Sequence, residues 1–206
     1  IGTNVGNTVT KQFYYNYSYG IVEGTTGIII SRGPGSYQFK NNYFRNPGEI
    51  AIHFDDSGTG THVAADAQVS RNQFVIDPSH VTGSATSDNK AYNFRQPFEV
   101  KVGQRIEVTG NLFEGSPTSV TIGLAVQIKG NGTNPATVPS GFIISDVLVA
   151  NNLIRNGSAG IEVDGGPPGG TSMPKVGRRV KVFNNLLYNI NGWLYRTIHI
   201  STTEGR

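Results

Sequence analysis

The chain has no cysteine, so disulfides give no clue to its compartment either way. Charge is also scarce: charged residues make up 15% of the chain, and the net charge is +3. That charge is scattered, whereas nucleic-acid binding usually shows a concentrated basic stripe, so the sequence offers no nucleic-acid partner. No apolar run approaches the roughly 20 residues of a membrane-spanning helix. No long stretch repeats its apolar residues with the 3.6-residue period of a helix. The His-Glu-x-x-His motif, a Cys/His cluster and a P-loop are all missing, as is the Gly-x-Ser-x-Gly nucleophile elbow. There is neither a signal peptide nor an initiating Met, which predicts a processed, trimmed or partial chain.

What is present is one phrase repeated: apolar, any, apolar, any, any, Asn, any, apolar. It occurs as Tyr37-x-Phe39-x-x-Asn42-x-Phe44, Ala67-x-Val69-x-x-Asn72-x-Phe74, Ile106-x-Val108-x-x-Asn111-x-Phe113, Val147-x-Val149-x-x-Asn152-x-Ile154 and Val180-x-Val182-x-x-Asn185-x-Leu187. The asparagines lie 30, 39, 41 and 33 residues apart, the scale of a repeat architecture. The alternation before each Asn is that of a half-buried strand. The Asn stands where alternation breaks, at a corner, a place suited to its tolerance of left-handed backbone angles and its side-chain bonds to nearby backbone. Stacked corners let these amides bond along the stack as a ladder.

A second strand follows each corner: Ile52-His53-Phe54, Phe98-Glu99-Val100, Val126-Gln127-Ile128, Ile161-Glu162-Val163 and Ile198-His199-Ile200. Ile28-Ile29-Ile30 reads as the same strand of a preceding turn. Two or three short strands per turn describe an all-β solenoid of about six turns and roughly 25–30 Å, given the strand spacing. The 27 Gly and 10 Pro serve its turns. The whole of residues 1–206 reads as one domain. Residues 1–20, with the aromatic run Phe13-Tyr14-Tyr15-Asn16-Tyr17-Ser18-Tyr19, read as an irregular first turn or flap. Insertions at 57–66, 129–142 and 164–179 follow the second strand and predict a wall on one side of the coil. The largest insertion, 75–96, leaves after the first strand.

The phrases "IEVTGNLFEG", "VLVANNLIRNGSAGIEVDGG" and "VKVFNNLLYNING" resemble the right-handed parallel β-helix repeats of secreted bacterial proteins in the pectate-lyase-like superfamily. The resemblance covers about Tyr37 to Ile200. It implies a right-handed parallel β-helix, an extracellular or cell-surface location and engagement of extracellular polysaccharide, by binding or by lyase or hydrolase cleavage. Calcium is the cofactor it brings into consideration. The Gly-His-Gly and Arg-x-Lys motifs of the pectin hydrolases are absent. The calcium-binding Asp set and catalytic Arg of typical pectate lyases find no match either. The competing reading is a non-catalytic scaffold, adhesin or filament subunit that stacks on itself end to end.

Candidate site residues come from the outward columns of the second strands. One column reads His53, Glu99, Gln127, Glu162, His199; the column two residues on reads Asp55, Lys101, Lys129, Asp164, Ser201. At one strand spacing, such groups can act as acid and base. Glu99, Lys101 and Glu162 are the catalytic candidates. His53, Asp55, Asp56, Gln127, Lys129 and Asp164 are the substrate-binding candidates, Asp55-Asp56 resembling the carboxylate pairs of glycoside hydrolases. The bland reading of the same columns is a solvated face. The first-strand columns are plainer: Gln38, Gln68, Glu107, Leu148, Lys181 and Lys40, Ser70, Thr109, Ala150, Phe183.

Overall fold

The structure, a computed structural model, describes residues 11–14, 17–19, 26–31, 36–47, 50–55, 63–77, 95–115, 123–129, 144–164, 178–192 and 197–201. They form a parallel β-solenoid of six turns with three strands each. The turns are β1 (Lys11–Tyr14), β2 (Tyr17–Tyr19) and β3 (Thr26–Ser31); β4 (Tyr37–Lys40), β5 (Tyr43–Arg45) and β6 (Ile50–Asp55); β7 (Ala65–Ser70), β8 (Gln73–Val75) and β9 (Phe98–Val100); β10 (Gly103–Thr109), β11 (Leu112–Glu114) and β12 (Val126–Lys129); β13 (Ile144–Ala150), β14 (Leu153–Gly157) and β15 (Ile161–Asp164); and β16 (Lys181–Phe183), β17 (Leu186–Ile190) and β18 (Ile198–Ser201). Sheet A stacks the first strand of each turn, sheet B the second and sheet C the third. No helix occurs among the described residues, so none there is long and apolar enough to cross a membrane.

The repeated phrase therefore spans two strands, not one strand and a corner. Its first two apolar residues sit in sheet A and its last in sheet B. The triplets expected as second strands are the third strands of their turns. Residues 11–14 and 17–19, expected as irregular, are regular rungs of sheets A and B, paired in register with β4 and β5.

Each anchor Asn forms a rung of a ladder, and Asn42, Asn72, Asn111 and Asn152 are buried while Asn185, on the last turn, is half-buried. The Asn72 Oδ1 accepts from both the backbone N–H and the Nδ2 of Asn42, at 3.0 and 2.8 Å. Asn111, Asn152 and Asn185 repeat this toward Asn72, Asn111 and Asn152. The other amide hydrogen of Asn72, Asn111 and Asn152 goes to Phe39 O, Val69 O and Val108 O, and Asn185, the last rung, donates to Val149 O and Phe183 O. These bonds satisfy amides that burial would otherwise penalise. The left-handed residue is not the anchor but its predecessor: Asn41, Arg71, Gly110, Asn151 and Asn184 all have φ between 52° and 65°. Two further left-handed columns mark the other corners, Asn46, Gly115, Asn156 and Asn189 at the end of sheet B, and Asp66, Arg105, Asp146 and Arg179 at the start of sheet A.

The core runs down the axis. Inward residues of sheet B stack Phe44 on Phe74 at 5.0 Å and Phe74 on Phe113 at 4.8 Å, the rings nearly parallel. Tyr37, Phe39, Phe54 and Phe98 fill the side toward sheets A and C. The period-2 burial of β7, alternating buried and exposed, is the strand signature the sequence carried.

Candidate functional site

The outward column of sheet C is in perfect register. His53 pairs with Glu99, Glu99 with Gln127, Gln127 with Glu162 and Glu162 with His199, with Ile29 one rung before His53. The Phe98 triplet, 26 residues beyond its Asn, takes its place in this sheet like the others. The chain between sheets C and A holds the expected insertions at 57–66, 129–142 and 164–179, and that between β8 and β9 holds 75–96. The last therefore leaves after the second strand of its turn, not the first. Most of these insertions, and Asp56 just before the first of them, lie outside the described residues.

Three of the five residues of the column are withdrawn from solvent. Glu99 is 1% exposed, and His53 and Glu162 are buried as well; all three residues of β9 are buried. Burial of ionisable groups requires partners, and the column supplies them. His53 Nε2 lies 3.0 Å from Glu99 Oε2, close enough to pair but off the line of a hydrogen bond. Lys101 Nζ stands 3.9 Å from the same oxygen. The buried Gln96 donates its amide to Gln127 Oε1 at 2.8 Å, and Gln127 donates to Glu162 Oε2 at 2.5 Å. His199 Nδ1 lies 3.7 Å from Glu162 Oε1. In the adjoining column Lys129 Nζ is 3.6 Å from Asp164 Oδ2.

The expected site residues thus fall into two groups. His53, Glu99 and Lys101 meet at the closed end of the column. Gln127, Lys129, Glu162 and Asp164 meet His199 at the other end, where the Lys129 side chain is 42% and that of His199 33% exposed. Asp55 is described in its backbone alone, paired with Ser31. Among the described residues no three His, Cys, Asp or Glu side chains converge to hold a metal ion.

The sequence columns passed over as plain form the open face. A groove of about 480 Å³ runs along sheet A over Gln38, Gln68, Glu107 and Leu148. Its rim is the left-handed column at the start of sheet A, where charge alternates in sign. Arg105 grips Asp66 with two bonds of 2.6 and 2.9 Å, and Arg179 grips Asp146 with two of 2.5 and 2.8 Å. The Arg105 hydrogen bonds hold the Asp66 carboxyl below its ordinary range. The Arg179 hydrogen bonds lower that of Asp146 to about 2. Arg179, at the end of the 164–179 insertion, is thus bonded to a partner one turn away. The signal for this rim lay in the sequence, since Asp66, Arg105, Asp146 and Arg179 each directly precede a copy of the phrase.

No protein-family model matches the chain, and no curated protein and no solved structure matches it.

Proposed function

We propose that this coil is a secreted protein of the pectate-lyase-like kind that binds extracellular polysaccharide along sheet C. One observation carries the reading: the two polar columns reach solvent most at Lys129 and His199, with Asp164 and Gln127 beside them and the buried Glu162 accepting from Gln127 and lying 3.7 Å from His199. Amide, ammonium, carboxylate and imidazole on neighbouring rungs suit the hydroxyl and carboxylate groups of a sugar chain. The depth of Glu99 and Glu162 favours binding over cleavage, because a carboxylate that protonates or attacks a glycosidic bond must reach it.

The test is calorimetric titration with acidic and neutral polysaccharides. The Lys129→Ala/His199→Ala protein is expected to bind at least tenfold more weakly than the wild type. Equal affinity in the two proteins would sink the sheet C assignment.

A further inference from the structure

We infer that the sheet A groove is a second binding site, for an uncharged glycan chain lying along the coil axis. Its floor presents Gln38, Gln68, Glu107 and Leu148 on successive rungs, each about 4.8 Å from the next. A chain laid along the axis therefore meets an amide, an amide, a carboxylate and an apolar side chain in order. The amides both donate and accept, and the carboxylate accepts charge-assisted bonds from hydroxyls. Leu148 offers apolar surface to the C–H face of a sugar ring.

The charge balance selects the class. Asp66 and Arg105 neutralise each other across their paired bonds, as do Asp146 and Arg179. Glu107 has no ion pair among the described residues. Among the residues that line the groove a polyanion meets a carboxylate and no cation without an anionic partner, the exposed Lys181 of the same column standing one rung beyond Leu148, whereas a neutral chain meets hydrogen-bonding partners without repulsion. The rim is also formed before the ligand arrives. Asp66 and Arg105 combine left-handed backbone at φ 59° and 53° with their two-point bond, and a preformed wall lowers the entropy cost of binding. The ligand class follows from this lining alone, so the assignment stands apart from the sheet C reading.

The experiment titrates the whole chain with cellohexaose and mannohexaose as neutral probes and hexagalacturonate as the acidic one. At least one neutral probe is expected to bind. Glu107→Lys, an exposed substitution, should weaken that binding at least tenfold, with circular dichroism unchanged and hexagalacturonate binding not reduced. Gln73→Ala, exposed on sheet B, should have no effect. Failure of both neutral probes to bind the wild type would overturn the assignment. So would unchanged neutral binding in the Glu107→Lys protein, or an equal loss in Gln73→Ala.

Discussion

Among single residues, the asparagines divide by neighbour position into two kinds with opposite demands. Asn111 serves as acceptor for two groups of Asn72 and as donor to Val69 O and Asn152. Asn111→Ala orphans several buried groups at about 1–3 kcal/mol each, so a loss of about 3 kcal/mol or more is expected in urea unfolding. Asn151, by contrast, is exposed and left-handed at φ 58°. Asn151→Gly removes the backbone restriction at little cost, and the urea midpoint is expected to move only slightly. The sequence announced the ladder but misplaced the left-handed residue, because Asn41-Asn42, Asn151-Asn152 and Asn184-Asn185 are doublets. The tie-breaker was Gly110 before Asn111, since glycine is the usual occupant of such angles. Asp146 adds a pH dependence. Its folded carboxyl sits near 2, below the ordinary 3.8, so its stabilisation is present above about pH 4 and fades as the pH falls toward 2. The pair is exposed, so salt weakens it. The stability difference between wild type and Asp146→Asn is expected to shrink both at pH 2 and in high salt at pH 7.

At the level of the strand, packing between turns dominates. Phe74 is sandwiched between Phe44 and Phe113, and Phe74→Ala is expected to cost about 3–5 kcal/mol by thermal or urea unfolding. Gly160 precedes β15, where an added Cβ would collide with Thr197 O of the next turn and with the Leu187 side chain. Gly160→Ala is therefore expected to lower the melting temperature, whereas the same change at the open corner Gly110, where only the Arg71 side chain is near, costs mainly backbone strain. The third strands were legible because each is an apolar-polar-apolar triplet, and their register followed from aligning triplets. Their burial was not legible. Whether Glu99 or Gln127 meets water depends on chain from other turns, which the triplet itself does not encode. The same limit hid the groove over Gln38, Gln68 and Glu107, since a concavity belongs to several rungs and a rim, not to any one strand.

The molecule is a stack in which each turn contacts its neighbours, so stability is expected to build up turn by turn. Its first turn was the hardest to read. The register of β1 and β2 against β4 and β5 aligns Lys11, Phe13 and Ser18 with Tyr37, Phe39 and Phe44, a copy of the phrase disguised by Lys11 and Ser18 at apolar positions; by sequence spacing its Asn is Asn16, which lies outside the described residues. The coil presents two outward faces of different character, a polar column on sheet C that is closed at His53 and open at His199, and an open groove on sheet A. Both run parallel to the axis, the direction an extended polymer would follow. The most direct measurement is native electrophoresis of the protein through gels cast with acidic or with neutral polysaccharide. Retardation in at least one gel, relieved by Lys129→Ala/His199→Ala or by Glu107→Lys, is the expected result. Mobility identical to that in a polysaccharide-free gel, across both classes of polymer, would contradict the account.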